Sequence, residues 1–136
     1  MNPADPNLPL LESVVLALGE LHKRSVFVGG CATGLLVTDV TAAPVRATHD
    51  VDVIAEVLTL ADYYALEREL ERAGFNHDRS PEAPVCRWVV GNCLLDVMPT
   101  DERILGFGNR WFSEALRTAE SVRLPNGRTI RLVTPP

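Results

Sequence analysis

The stretch that most constrains the fold of this chain is the run HDVDVI, residues 49–54. Polar and apolar residues alternate along it, which is the two-residue period of a strand with one buried face. Asp50 and Asp52 therefore project from the same face, while Val51 and Val53 point into the core. Two carboxylates so close together repel each other unless a cation lies between them. Because carboxylate oxygens are the ligands that Mg²⁺ and Ca²⁺ take, this strand predicts a divalent-metal site.

The composition is that of an ordinary globular protein. With 136 residues, 46% of them hydrophobic, the chain predicts one domain over residues 1–136, with residues 1–9 as a loose lead-in. Its net charge of −5 gives no support to a generally basic nucleic-acid-binding surface. The cysteines, at positions 31, 86 and 93, follow no zinc-ligand spacing, and we expect reduced, buried thiols. Neither a signal peptide nor an apolar run of roughly 20 residues is present, so we expect a cytoplasmic protein without a membrane span.

Helical and strand patterns follow one another along the chain and predict an α/β (α+β) domain, a mixed β-sheet flanked by helices. In the third predicted helix we expect Tyr64, Leu66 and Leu70 to be buried. Helices are predicted over residues 10–23, 31–40, 60–73 and 111–117, strands over 25–28 and 49–57, and hairpins around Gly91-Asn92 and Pro125-Asn126-Gly127.

The predicted Gly91-Asn92 turn determines the position of a third acidic residue, Asp96. In a two-residue hairpin turn Val90 faces Cys93 and, counting back, Arg87 faces Asp96. Asp96 completes the acidic cluster if its strand neighbours the HDVDVI strand. Arg87 then either neutralises Asp96 or reaches a bound phosphate.

A pair of glycines, Gly29-Gly30, lies at the exit of the first predicted strand. Without side chains there, backbone N–H groups can approach a phosphate closely. Acids about 20 residues beyond a glycine turn are also part of the dinucleotide-binding fingerprint. We disfavour that alternative because the third glycine is Gly34, which does not give G-x-G-x-x-G, and because the acids lie early in their strand.

Together, Gly29-Gly30, the run Asp50-Val51-Asp52-Val53 and the later Asp96 resemble the nucleotidyltransferase superfamily of DNA polymerase beta and the CCA-adding enzymes. The run Arg46-x-Thr48-x-Asp50-x-Asp52 looks most like the AbiEii-like abortive-infection toxin branch of that superfamily. The resemblance covers residues 26–99 well and the remainder loosely. It departs from the family in a longer interval between the glycines and the acids, and in the lack of the helical region that usually follows the catalytic domain.

The resemblance implies a transferase that moves a nucleoside monophosphate from an NTP to a hydroxyl and releases pyrophosphate. Asp50, Asp52 and Asp96 would bind two Mg²⁺ ions, and Asp96 would help to activate the acceptor hydroxyl. The residues implied to contact the nucleotide are Gly29, Gly30, Arg46, Thr48 and Arg87. From the residues alone, Arg46 and Thr48 either contact phosphate or cap the loop.

Several properties stay open at this point. The acceptor is tRNA or another RNA, a protein, or a small molecule, and a toxin–antitoxin partner is implied only by the branch that the chain resembles. Homodimerisation is expected as a way to cover the surface that the missing helices would occupy. The alternative of a different class is a non-catalytic, nucleotidyltransferase-like module that binds a nucleotide or a partner protein.

Overall fold

The computed structural model describes residues 4–35, 49–105 and 111–134, which form a seven-stranded mixed sheet with helices packed against it. This confirms the predicted fold class. The helices are α1 (Leu8–Leu18), a 3₁₀ helix (Gly19–Arg24), α2 (Gly29–Leu35), α3 (Leu60–Arg72), α4 (Glu102–Leu105) and α5 (Trp111–Thr118). The strands are β1 (Ser25–Val28), β2 (Asp50–Ala55), β3 (Asn76–His77), β4 (Arg87–Val90), β5 (Cys93–Pro99), β6 (Glu120–Arg123) and β7 (Thr129–Leu132).

The order of the strands is β3-β4-β5-β2-β1-β7-β6. The central strand β2 is antiparallel to β1 and parallel to β5, and β1 is parallel to β7. The pairs β3–β4, β4–β5 and β6–β7 are antiparallel. This mixture of directions differs from the mostly parallel sheet of a dinucleotide-binding fold, so the topology excludes that alternative.

The sheet buries a different set of side chains on each face. One face packs in the larger core, where Phe27, Val53 and Leu95 meet the apolar side of α1. On the other face, Val26 and Ile54 pack in a second cluster with residues of α5. Side chains alternate along β2, so Asp50 and Asp52 share the face of Ile54 and lie beyond the part that α5 covers. The same alternation that fills the larger core therefore places both aspartates on the opposite face of the sheet.

The first helix begins earlier than the sequence predicted. It starts at Leu8 with a proline in its first turn, where the missing N–H costs no helical hydrogen bond. Asp5 and Asn7 are buried, and the Asn7 backbone N–H donates to Asp5 Oδ1 over 2.8 Å. The lead-in predicted through residue 9 is thus shorter, since this local bond ties its second half to the fold. The predicted helix also changes at Gly19 into the 3₁₀ helix that leads into β1.

Helix α3 corrects one prediction about burial. Its N-terminus is capped by Thr59, whose hydroxyl accepts from the Asp62 N–H over 3.1 Å. Tyr64, predicted to be buried, is 49% exposed, whereas Tyr63 is buried. Leu70 is buried as predicted, and Leu66, also predicted to be buried, is only partly buried. Tyr63, Leu66 and Leu70 are three and four residues apart and so lie on one side of the helix.

Both predicted hairpins are confirmed. Around the first turn Val90 pairs with Cys93 and Arg87 with Asp96, as counted from the sequence. The second turn joins β6 to β7. Within the described part of the chain no cysteine is in a disulfide. No helix in residues 4–35, 49–105 or 111–134 is long and apolar enough to cross a membrane.

Candidate metal centre

Three aspartates from two neighbouring strands lie together on one face of the sheet. The parallel register of β2 and β5 places Asp52 beside Asp96, and Asp50 precedes Asp52 by two residues on the same face. Each of the three offers a carboxylate oxygen, and these oxygens all lie within 4.8 Å of one another. The structure thus brings together the three acids that the sequence predicted to meet. Three convergent carboxylates are a donor set suited to a hard divalent cation.

In this acidic cluster, which consists of Asp50, Asp52 and Asp96, the ionised form is strongly disfavoured at Asp52. Burial raises the pKa of Asp52 to about 7, and the charges of Asp50 and Asp96 add to the rise. The Arg87 guanidinium acts in the opposite direction without cancelling these effects. Near neutral pH the cluster therefore holds less negative charge than three isolated aspartates would. A bound cation would reverse this by stabilising the ionised form of Asp52.

Arg87 is the positive group already present at the cluster. Its Nε donates to Asp96 Oδ1 over 2.9 Å and its Nη2 to Asp96 Oδ2 over 3.0 Å, a bidentate ion pair. The same Nη2 lies 3.8 Å from Asp50 Oδ2. Asp96 is only 7% exposed, so this ion pair stabilises a charge that is largely removed from water. Of the two roles predicted for Arg87, the structure places it in contact with Asp96.

Gly29 makes room for the cluster at the end of β1. Val28 pairs with Asp52 across β1 and β2, which brings the glycine next to that carboxyl. The backbone at Gly29 has φ +74°, and a Cβ atom built there would lie 2.2 Å from Asp52 Oδ2. Only glycine both adopts this conformation readily and leaves space for the carboxylate. The sequence predicted that this turn contacts a phosphate. In the structure, the lack of a side chain at Gly29 leaves space for the Asp52 carboxyl.

The structure describes only some of the remaining predicted site residues. Gly30 follows Gly29 in the first turn of α2 and is exposed. Arg46 and Thr48 lie outside the described residues. Sequence reasoning missed Cys31, which it treated only as a buried apolar residue. Its Sγ donates to the Asp50 backbone oxygen over 3.5 Å and so helps to hold the start of β2, a contact across 19 positions that no local pattern could reveal.

Replacing Gly29 with alanine should destabilise the protein by about 2–3 kcal/mol and weaken Mg²⁺ binding. The new methyl group meets an unfavourable φ and displaces the Asp52 carboxyl from the cluster. Urea unfolding and a metal titration followed by calorimetry measure the two effects. Gly91→Ala is the matched control because Gly91 has φ +55° but no atom within 4 Å of the built Cβ. It should cost only about 1 kcal/mol and leave metal binding unchanged; equal losses of affinity in the two variants would contradict the contact with Asp52.

With a chelator present, the protein should lose stability as the pH rises from about 4 to about 7. Asp52 keeps its proton in the folded state up to a pKa of about 7, against 3.8 for an ordinary aspartate, so the folded state binds more protons between these values. The expected effect is on the order of 1 kcal/mol between pH 5 and pH 8, once solvent screening of this partly exposed carboxyl is allowed for. Urea unfolding at both pH values measures it. Asparagine has no proton to release in this range, so Asp52→Asn should be more stable than the wild type at pH 8. An equal gain in stability at pH 5 would argue against a raised pKa of Asp52.

No protein-family model matches this chain, and a search of curated proteins found no similar sequence.

Proposed function

We propose that this chain is a magnesium-dependent nucleotidyltransferase, which moves a nucleoside monophosphate from an NTP to a hydroxyl acceptor and releases pyrophosphate. The observation that carries the proposal is the convergence of Asp50, Asp52 and Asp96 from two adjacent strands, with their oxygens within 4.8 Å. The glycine turn beside Asp52 and the resemblance of the motif order to the superfamily of DNA polymerase beta support the same function. The likeness of the motif to the AbiEii-like toxins of that superfamily belongs to the proposal as well.

The residues present fit the two Mg²⁺ ions that this chemistry requires. All three donors are carboxylates, the hard ligands that Mg²⁺ prefers, and Asp52 has the raised pKa of a carboxyl in need of a nearby cation. Asp50 and Asp52 would hold the ions on β2, and Asp96 would join them from β5. When bound, Mg²⁺ lowers the pKa of an acceptor hydroxyl and neutralises the charge that develops on the leaving pyrophosphate.

The chain's own side chains would then have separate roles. Asp96 would orient the acceptor hydroxyl and take part in removing its proton. Arg87, which now holds Asp96, is within reach of the same space and would contact the triphosphate. The nucleotide would also lie against Gly29 and Gly30, where no side chain blocks the backbone. Contacts of Arg46 and Thr48 with the triphosphate remain part of the proposal.

The partners are proposed from the chemistry of the transfer reaction, which requires a hydroxyl acceptor. The acceptor is an RNA such as tRNA, a protein or a small molecule, each of which offers a hydroxyl. We also propose a cytoplasmic site of action, a homodimer and, from the toxin-like motif, a toxin–antitoxin partner. Sedimentation tests the dimer, and a monomer at high concentration would exclude it.

The test of the function is pyrophosphate release. The purified chain is incubated with Mg²⁺ and each of ATP, CTP, GTP and UTP, alone and with RNA, protein and small-molecule acceptors. Pyrophosphate that depends on Mg²⁺, on one NTP and on an acceptor supports the transferase. Parallel calorimetry with the same nucleotides measures binding independently of turnover.

A second function, nucleotide or partner binding without transfer, is favoured by one observation. Arg87 already holds both oxygens of Asp96, so the cluster has a cation of its own without any metal. A binding module would keep this ion pair, whereas a transferase must share Asp96 with Mg²⁺. Nucleotide binding in calorimetry without pyrophosphate release from any acceptor would favour the module over the enzyme.

A further inference from the structure

A positively charged cleft lies at the end of the sheet away from the acidic cluster. It is a cavity of about 410 Å³ between the 3₁₀ helix and the start of β7. Its walls are formed by His22, Lys23, Ser121, Arg128, Thr129, Ile130 and Arg131. We propose that this basic cleft, made of these seven residues, binds a phosphate group and is a second site, separate from the proposed catalytic one.

The charges around the basic cleft are the first argument. Lys23, Arg128 and Arg131 are all cationic, and no acid is among the described residues that line the cavity. Lys23 pairs with Glu20 over 3.0 Å, but both side chains are largely exposed, so this pair is weak and easily exchanged. Lys23 and Arg131 also line a neighbouring cavity that contains Glu56, Asp62 and Glu69, so Arg128 is the cation that belongs to the basic cleft alone. A local excess of positive charge on a protein with a net charge of −5 is the opposite of what its bulk composition favours. Such an excess attracts anions.

One donor that lines the basic cleft, Arg131, is held in place. Arg131 donates from Nη2 to the Leu116 backbone oxygen over 2.6 Å, which fixes its guanidinium beside the end of α5. Ser121 stands directly across from Arg131 in the β6–β7 hairpin, and Thr129 adds a second hydroxyl two residues along. Guanidinium and hydroxyl groups arranged in this way suit the several oxygens of a phosphate.

His22 supplies an independent observation. It is buried, lines the basic cleft, and its Nδ1 has no hydrogen-bond partner among the described residues. Burial lowers the pKa of His22, and the charges of Lys23 and Arg128 lower it further, so the positive potential of the cleft reaches the ring. The Nδ1 atom itself is closed off from solvent, so the ring senses the cleft through charge and not through a direct bond to a ligand. A bound oxyanion would offset the positive charge around the ring and so raise the pKa of His22.

The basic cleft is distinct from the acidic cluster in position. It involves the residues before β1 and the first half of β7, which runs parallel to β1. Asp52 pairs instead with Val28, the last residue of β1. The two sites are therefore separated by the length of this strand, roughly 13 Å at about 3.3 Å per residue. The phosphate site goes beyond the proposed transfer reaction and does not depend on it.

The chemistry that the basic cleft recognises is a phosphate group, which has two sources. Free phosphate or a phosphomonoester carries two negative charges, whereas the backbone of a nucleic acid presents a row of phosphodiesters. Two probes distinguish these sources: inorganic phosphate and an oligouridylate of ten nucleotides. Tighter binding of the oligouridylate, weakening as salt is raised, identifies nucleic acid as the source; tighter binding of inorganic phosphate identifies the small anion. Either result supports a phosphate site.

The experiment follows the His22 ring signals by NMR while each probe is added to the full chain at low salt. Arg128→Ala and, separately, Lys23→Ala should weaken binding about tenfold, the effect of losing one charge-assisted hydrogen bond. Arg123→Ala is the matched control, because Arg123 is an exposed arginine of the same hairpin that does not line the cleft. It should change the affinity less than twofold, and Asp52→Asn should not change it at all.

Two results would overturn the proposal. One is the lack of any change in the His22 signals with either probe up to tens of millimolar. The other is an equal loss of affinity in Arg123→Ala and Arg128→Ala, which would reduce the effect to bulk charge. Because the readout is binding at His22, a protein without transferase activity still tests the basic cleft.

Discussion

Replacing Asp50 with asparagine should reduce nucleotidyl transfer by roughly 1000-fold or more, about 4 kcal/mol of transition-state stabilisation. Asparagine keeps the shape of the side chain but removes the charge that would hold Mg²⁺. The fold should be retained, since the Asp50 side chain is 33% exposed and contributes nothing to either apolar core. The substitution also removes one of the repulsions that raise the pKa of Asp52, so the metal-free variant should be at least as stable as the wild type. Pyrophosphate release and urea unfolding measure the two expectations.

The matched control for this prediction is Asp62→Asn. Asp62 is an exposed aspartate in the first turn of α3, a helix whose buried side packs in the other core. The same chemical change there should leave transfer within about twofold of the wild type. Activity of Asp50→Asn equal to that of the wild type would refute the assignment of the acidic cluster as the catalytic site.

Replacing Arg87 with methionine should strengthen Mg²⁺ binding about tenfold while destabilising the metal-free protein by about 2–3 kcal/mol. Methionine retains much of the apolar stem but leaves Asp96, which is largely buried, without its bidentate partner. The freed carboxylate then offers both oxygens to a metal ion, and no guanidinium competes for them. Addition of Mg²⁺ should therefore raise the melting temperature of the variant more than that of the wild type. Calorimetric titration and thermal unfolding with and without Mg²⁺ test this.

Arg103→Met is the control for Arg87. Arg103 also forms a bidentate pair with an aspartate, Asp101, but its side chain is 85% exposed. Its loss should cost less than about 1 kcal/mol and should not alter metal affinity. If Arg87→Met instead bound Mg²⁺ more weakly than the wild type, Arg87 would be a support of the metal site and not a competitor for it. A separate fall in NTP affinity would assign it the proposed contact with the triphosphate.

The parts of the site that lie in one strand or one hairpin could be predicted from the sequence. Alternation in β2 determines that Asp50 and Asp52 share a face, because successive side chains of a strand point to opposite sides. The two-residue turn at Gly91-Asn92 sets the register of β4 and β5, which is why Arg87 could be placed opposite Asp96 by counting. These relations follow from backbone geometry over a few residues and need no knowledge of the rest of the fold.

Predictions failed where the phase of a helix or a contact between distant segments decided the outcome. Tyr63 and Tyr64 are adjacent and equally suited to burial, and the packing of α3 as a whole selected Tyr63. The basic cleft was also invisible in the sequence, because Lys23 and Arg128 come from segments about 100 residues apart. Bulk charge pointed away from such a site, since an acidic average conceals a local excess of cations.

The sequence by itself determined the class of fold, the face that the β2 aspartates share and the pairing of Arg87 with Asp96, since each depends on a local period or a short turn. Only the tertiary structure decided that β2 and β5 are parallel neighbours, which places Asp96 beside Asp52, and that Gly29 leaves space for the Asp52 carboxyl. The physical reason is that the order of strands in a sheet is set by the burial of both of its faces at once. That is a property of the whole chain, and no single stretch of residues contains it.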